Sequence, residues 1–586
     1  MTFDTENRAV VVKGRRSPDQ SPQPLSTVLW GGRDPARDPI SGLATRGNPA
    51  RCDRRPHNAW DVALDWGAPA CAPRSPGTMT HRLKLLFSLR NSALFAAALL
   101  LSVVPIWLTP YLPLVDIPEH AAQVASLHEL WNGNSLFTDT FQINWFTPYL
   151  LGDLLLYAVS TVLPIVTATK LVVSAALMAV PWLTGLLLRE VGGEERLRWL
   201  AIPASYSVAF YWGFMAFVVA IPMALAYLLL TVRFERSATP RNAVGIALCS
   251  VVLFFGHVIA LGIGSLLALT YLLAKNLRSP RRFVVCALPC AVPLPLLALW
   301  TARIYATESS VQHAPLAFAT LHERLVNLFN QLAGLDQSAF LVSLLVASTV
   351  VLAPLVFGYR FSKRPERWLL LVVGAAVYFT FPSYAQGAAV LYQRLGVFLI
   401  PLWLLVWDPP AKPRPALGLV VVIALVSWLG VNTVRFFEFG REARSFDTAL
   451  HNIEPGRRVA SLLMCNSSQF FSKPVYWHFP AWYQAVSHGV VDLSFAASYP
   501  SMVRYRDANA PRLREGVMLQ PKAFSWPQDG GARYDYFLLC AGTDESAAVF
   551  KEHRDSVSLL GQYENWWLYK NLEPESSLSL ASRQAE

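Results

Sequence analysis

Three side chains able to move a proton stand within five residues of one another. They are Asp116, Glu119 and His120, in the run Pro113-Leu114-Val115-Asp116-Ile117-Pro118-Glu119-His120. A carboxylate beside an imidazole at the end of an apolar segment suits general-base chemistry on a hydroxyl group. The same spacing has a structural reading. Asp followed three residues later by Glu is a capping-box pattern, with Asp standing in for Ser or Thr, and Pro118 fits a first helical turn. His120 would then be a solvated surface histidine. The two readings are compatible, because a cap also fixes a carboxylate in place.

The residues that follow predict the element that carries this group. Ala121, Val124, Leu127 and Trp131 recur at helical spacing, while Gln123, Ser126 and Glu129 lie off that stripe. This predicts a short amphipathic helix along a membrane surface. His257 sits in Phe254-Phe255-Gly256-His257-Val258 between two apolar runs, at a predicted outer turn. Such a residue is a functional candidate by default, with a hydrogen-bonded structural histidine as the alternative. Screens for other chemistry return nothing: the chain has no Walker A loop, His-Glu-x-x-His, CxxC pair or GxSxG elbow. Nothing beyond net charge points to nucleic acid.

The surrounding chain is that of a membrane protein. Of its 586 residues, 53% are hydrophobic and 15% are charged, against about 25% charged in soluble domains. The mean hydropathy is +0.34. These values exclude a soluble enzyme, a disordered protein and a collagen-like fibre. The net charge of +11 fits basic loops beside a bilayer, and seven cysteines are too few for a disulfide framework.

Apolar segments near 92–110, 146–164, 169–188, 199–213, 215–232, 243–256, 258–274, 283–301, 339–358, 368–382, 390–407 and 416–434 are candidate spans, and backbone in lipid must be helical. Arg82, Lys84 and Arg90 place the start of the membrane region in the cytoplasm, and no Lys or Arg occurs from Asn91 to Thr169. Later basic clusters include Arg189/Arg196/Arg198, Arg233/Arg236/Arg241, Lys275/Arg278/Arg281/Arg282 and Arg360/Lys363/Arg364/Arg367. Placing all of them inside requires an odd number of crossings. The expectation is about eleven, with 146–188 crossing only once in net terms. The fold class is therefore an all-α polytopic membrane protein with loops 111–145 and 302–338 outside and a small C-terminal α/β domain over 436–575, also outside.

Residues 1–78 are rich in Arg, Pro, Gly and Asp and show no apolar period, which reads as a disordered tail or a mis-called extension ahead of Met79. The membrane domain is then 79–435, and 576–586 reads as a disordered tail. Cys465 and Cys540 end strand-like runs in the C-terminal region, and a disulfide or two buried thiols fit equally. The loop 302–338 holds a second surface helix, with a capping box at Thr320–Glu323, a stop at Gly334 and a stripe of Leu321, Leu325, Leu328 and Leu332. It reads as a lid, a lipid guide or a loop anchor. Tyr476-Trp477-His478-Phe479 and Trp482-Tyr483 could stack on sugar rings, and core packing is the more ordinary role for such aromatics.

A span, an outer Asp-Ile-Pro-Glu-His, a surface helix and then Trp145-Phe146-Thr147-Pro148-Tyr149 entering an apolar run resembles the GT-C class of membrane glycosyltransferases. Tyr211-Trp212-Gly213-Phe214-Met215 and Tyr392-Gln393-Arg394-Leu395 add to the resemblance, which covers roughly residues 91–570 in layout. It implies a bacterial inner-membrane enzyme with a cytoplasmic N-terminus and a periplasmic C-terminal domain. Its partners would be a polyprenyl-phosphate-linked sugar donor, a glycan, lipid or protein acceptor, and the lipid bilayer, with no nucleic acid. By that resemblance Asp116 is the base of an inverting transfer, Glu119 and His120 orient it or bind the acceptor, and Arg394 grips the leaving phosphate. His257, Arg303 and His313 are further substrate-binding candidates, with Arg324 beside them. Snorkelling at the interface is the ordinary alternative for Arg394. No cofactor is implied beyond an optional divalent cation. The chain departs from the class in one respect: the loop around Tyr211–Ala216 has no Asp or Glu, where many members carry a second acid. A transporter or flippase of lipid-linked glycans and an inactive GT-C-like scaffold are the competing readings.

Overall fold

The structure, a computed structural model, describes residues 91–307, 315–336, 339–410, 416–506, 510 and 512–575. The expectations for 1–78, Met79, His313 and the tail 576–586 lie outside the described residues. The region Phe87–Glu586 clusters as one compact unit.

Among the described residues four helices are long and apolar enough to cross a membrane: α4 (Ile165–Glu190), α5 (Met215–Arg236), α7 (Val258–Asn276) and α14 (Ala416–His451). A bent pair, α8 (Pro280–Ala291) and α9 (Leu294–Ala306), meets at 48° and makes a fifth if counted as one. Shorter apolar helices are α1 (Asn91–Trp107), α3 (Leu150–Ser160), α6 (Pro240–Gly256), α11 (Phe340–Val356) and α13 (Leu391–Leu405). The helix α12 (Pro365–Thr380) packs beside α13. Leucines such as Leu100, Leu248, Leu341 and Leu419 are exposed on these helices. That outward apolar surface suits lipid rather than water.

Two candidate spans take other forms. The segment 146–164 is the 11-residue α3, about 16 Å long against a hydrocarbon core of about 30 Å. The segment 199–213 is a broken path of 3-10 turns at Glu195–Ala201 and Pro203–Ser205 and a short helix at Val208–Tyr211. Pro203 accounts for the break, since it cannot donate to a continuing helix. The irregular backbone is tolerated because the side chains from Leu200 to Tyr211 are buried in protein.

The predicted surface helix is α2 (Ile117–Trp131), and it is not on a surface: Ala121 through Leu127 are all buried. Its polar face receives the C-terminal region. The Phe495 N–H donates to Glu119 Oε2 at 2.8 Å, the Val503 N–H to Gln123 Oε1 at 2.7 Å, and the Gln484 side-chain amide to Ser126 Oγ at 2.7 Å. Residues 119, 123 and 126 share one helix face by the i, i+4, i+7 rule. The polar positions that read as solvent-facing are thus the docking row for helix α15 (Ala481–Ser487) and its neighbours.

The C-terminal region is built on seven strands, one of which comes from the first loop. These are β1 (Phe141–Ile143), β2 (Arg458–Leu463), β3 (Val490–Val491), β4 (Val503–Tyr505), β5 (Tyr536–Cys540), β6 (Val557–Tyr563) and β7 (Trp566–Asn571). Five form a mixed sheet in the order β6-β7-β5-β2-β3, with β2 parallel to β3 and β5 and the β6–β7 and β7–β5 pairs antiparallel. The other two pair antiparallel, with Phe141 opposite Tyr505 and Ile143 opposite Val503. Cys465 and Cys540 are joined in a disulfide, which decides between the two expectations for them. Helix α10 (Leu321–Ala333) has the predicted capping box and a left-handed Gly334 cap. It buries Arg324 and Gln331 and turns Leu321 and Leu325 outward.

Candidate functional site

Asp116 stands at the N-terminus of α2 without capping it: its side chain makes no bond to the helix amides. The capping-box expectation fails because both carboxylates have better partners. Asp116 Oδ1 faces His478 Nε2 at 3.5 Å, and Glu119 Oε1 faces His478 Nδ1 at 3.4 Å. Glu119 is sealed, with 1% of its side chain exposed, whereas Asp116 keeps 15%. Only Asp116 retains an opening through which a reacting hydroxyl could reach a carboxylate. One turn on, His120 Nδ1 lies 2.8 Å from Asp153 Oδ1 on α3. His120 therefore stays inside the group and is no solvated histidine.

The loop before α5 fixes this assembly. The Asp116 N–H donates to the Trp212 carbonyl at 3.0 Å. Gly213 is the close approach: φ is +73°, and a Cβ there would meet the Asp116 and Ile117 nitrogens at 2.7 and 2.8 Å. Only glycine fits both the backbone angle and the space. Phe214 then lies under Arg394, whose guanidinium carbon is 3.8 Å from the ring centroid.

Arg394, on the first turn of α13, spends two nitrogens locally. Nε donates to the Val390 carbonyl at 3.1 Å and Nη2 to the Ala389 carbonyl at 2.9 Å. Nη1 points at His257 Nε2, 3.4 Å away. His257 joins α6 to α7, and its Nδ1 accepts the Ile259 N–H at 3.2 Å. A neutral imidazole that accepts at Nδ1 carries its proton on Nε2. Burial, then the nearby Arg394 charge, holds His257 well below the usual histidine range, so it is neutral. Two donors therefore face one another at 3.4 Å, an arrangement that neither satisfies for the other and that a nearby anion would.

The electrostatics tie the two halves together. Burial raises the Asp116 carboxyl above its ordinary range, opposed by His478, His120 and Arg394. His120 and His478 are both raised: burial works against this, and Asp153 in one case and Glu119 with Asp116 in the other outweigh it. The site thus holds a carboxyl tuned upward, two histidines disposed to carry charge, and an arginine beside a neutral histidine.

Five of the candidates read from the sequence are brought together: Asp116, Glu119, His120, Arg394 and His257. Arg303 lies exposed on α9. Arg324 donates to the Ala319, Tyr378 and Phe381 carbonyls, which is a structural use. Sequence reasoning missed Asp153 and His478. Asp153 had a signal, a carboxylate inside an apolar run, and it is spent on His120. His478 lay within an aromatic cluster whose Tyr476, Phe479, Trp482 and Tyr483 are indeed core. Among the described residues no three His, Cys, Asp or Glu side chains are grouped to hold a metal ion.

No protein-family model and no curated protein matches the chain. Solved structures do. The chain is similar to ArnT from Cupriavidus metallidurans bound to undecaprenyl phosphate, with a TM-score of 0.51 at 10% identity over 82% of this chain and 97% of that one. The same protein in the apo state gives 0.49 at 11% identity, again over 82% and 97%. The likeness shows that this chain has the GT-C fold, and its long apolar helices mark it as a membrane protein.

Proposed function

We propose that the protein is an integral membrane glycosyltransferase that moves a sugar from a polyprenyl-phosphate donor to a hydroxyl acceptor at the outer face of the membrane. The observation that carries this reading is convergence. An accessible carboxylate, Asp116, lies within the electrostatic reach of Arg394, and Arg394 and His257 present two donors to one space. A base for an acceptor and a cradle for a phosphate are the two things the reaction needs, and the similar ArnT structure is one bound to undecaprenyl phosphate.

In the reaction, the acceptor oxygen attacks the anomeric carbon and the carbon–oxygen bond to the lipid phosphate breaks. Asp116 takes the acceptor proton, and the electron pair leaves with the phosphate. Arg394 and His257 stabilise the charge that develops there. A single displacement inverts the anomeric centre and needs one base rather than a glycosidase's carboxylate pair. Glu119, sealed against Phe495, holds the site's geometry, and the His120–Asp153 pair does the same from the other side.

The topology follows from the two ends of the helices. Basic residues at the ends of α4, α5 and α7 and the starts of α8 and α12 belong in the cytoplasm. Counting the broken 195–213 path as one crossing and α3 as none gives about eleven crossings, an inside N-terminus and an outside C-terminal region. Asp116, His257 and Arg394 then share the periplasmic face of an inner membrane.

The test uses purified protein in lipid, labelled polyprenyl-phosphate sugars and envelope glycan or lipid extracts. Wild type should transfer label, and Asp116→Asn, folded normally, should lose transfer by about 10²- to 10⁴-fold. Equal transfer by both would remove Asp116 from the chemistry. Donor flipping across the bilayer without transfer would favour a flippase.

A further inference from the structure

We propose that His478 is a positioning residue of this site: an imidazolium, delivered by the C-terminal region, that offers one N–H to Asp116 and the other to Glu119. The inference rests on the reading of Asp116 as the base and deepens it, because it makes the C-terminal region part of the reaction centre.

The geometry argues for the charged ring. Nε2 is 3.5 Å from Asp116 Oδ1 and Nδ1 is 3.4 Å from Glu119 Oε1. Glu119 Oε1 and His478 Nδ1 are both buried and neither has a hydrogen-bond partner among the described residues, so their 3.4 Å contact is an ion-pair distance that a charged ring would satisfy. A neutral imidazole has one N–H and would turn a lone pair on one carboxylate. With both carboxylates ionised, only the doubly protonated ring offers a proton to each. The ring is held in that plane by Trp477, parallel to it at 5.9 Å, and by the edge of Phe495 at 5.4 Å.

The charges around the pair are few. His478 faces Asp116 and Glu119 from α2, with the like charge of His120 one turn away. Asp116 feels His478, His120, Arg394 and Glu119. Glu119 also takes the Phe495 N–H and lies near Tyr505. Two carboxylates so close on one turn would repel if both were ionised. The bridging cation lets both stay charged and leaves Asp116, the more open of the two, ready to accept a proton. Asp116 protonates at lower pH with the cation present than without it, so removing the cation moves its titration upward. The loop that carries His478 begins at the Cys465–Cys540 disulfide and is held by Asp336, which accepts the Ser472 N–H at 2.7 Å and pairs with Lys473 at 3.7 Å.

The experiment reads protonation directly, without turnover. Infrared difference titration of the full chain in nanodiscs gives the protonated-carboxyl band of Asp116, identified by its loss in Asp116→Asn. In His478→Gln that band should appear at a pH higher by about 1–3 units. An unchanged titration would overturn the proposal. If His478→Gln fails to fold, nitrogen-15 histidine spectra of the wild-type protein decide instead. His478 should be an imidazolium at neutral pH and become neutral in Asp116→Asn. A neutral His478 in wild type would overturn the proposal. Because neither measurement uses a donor or acceptor, a failed transfer assay and a failed bridge are separate results. In the transfer assay, His478→Gln should move the acid limb of the pH profile upward, whereas a merely structural loss would lower the rate at every pH.

Discussion

The two ends of the same helices handle charge in opposite ways. At one end Glu190 takes Arg233 at 2.7 Å and Arg236 at 3.0 Å, Glu235 takes Arg282 at 3.2 Å, Arg367 takes Asp408 at 2.7 Å, and Arg364 donates to the Val191 carbonyl at 2.6 Å. Most of these cations are well exposed, and the pairs overlap, so the loss of one leaves others in place. At the other end a few groups are shielded and yet leave something unspent. Asp116 keeps an opening, and Arg394 and His257 point donors at a shared space rather than at an acceptor. The lesson is that a cluster's charge count does not mark it as functional. A group that has been buried at a cost and still keeps an unused valence does.

That contrast can be broken most strongly at Asp116. Beyond the loss expected for Asp116→Asn, the wild-type rate should fall as pH drops through the raised pKa of this carboxyl. The base works only when deprotonated, so activity is present above that pKa and lost below it, and the acid limb should lie above the ordinary carboxylate range. A rate flat across that region would count against the assignment.

Gly213→Ala comes next. The added Cβ would press on the Asp116 and Ile117 nitrogens, and a misplacement of about 1 Å at a reacting group costs about 100-fold. The expected result is folded protein with donor binding retained and transfer sharply reduced; normal transfer would separate the 211–214 loop from the site. Gln123→Leu should act on stability. It strands the buried Val503 N–H, at a cost of about 1–3 kcal/mol, seen as a lower unfolding temperature in lipid. An unchanged temperature would mean the docking row is dispensable. The smallest effect belongs to the opposite end. Arg233→Ala removes one exposed partner of Glu190 and should cost less than about 1 kcal/mol, with no change in transfer.

Much of this site was legible because its first members are neighbours in sequence. Asp116, Glu119 and His120 sit on one turn, and Arg394 and His257 stand out as polar residues in apolar surroundings. The fold class was legible for the same reason that topology rules work: backbone in lipid has few options. The misreadings have physical causes. Gln123 and Ser126 read as solvent-facing because a helix cannot announce which partner will cover its polar side. Asp153 was absorbed into an expected span, although α3 is too short to cross. The 199–213 run has the composition of a span and, at Pro203, the breaker that prevents one continuous helix. His478 had no local signal, since its role exists only when the C-terminal region packs on α2.

On the proposed function the Asp116 end of the bundle, and not the heavily basic end, holds a lipid phosphate. The most direct measurement is binding of undecaprenyl phosphate to the purified protein in nanodiscs, comparing wild type, Arg394→Ala and Arg233→Ala. The account predicts that Arg394→Ala weakens binding by about tenfold or more, the loss of a charge-assisted bond, while Arg233→Ala leaves it unchanged. Binding that survives Arg394→Ala and falls with Arg233→Ala would contradict it.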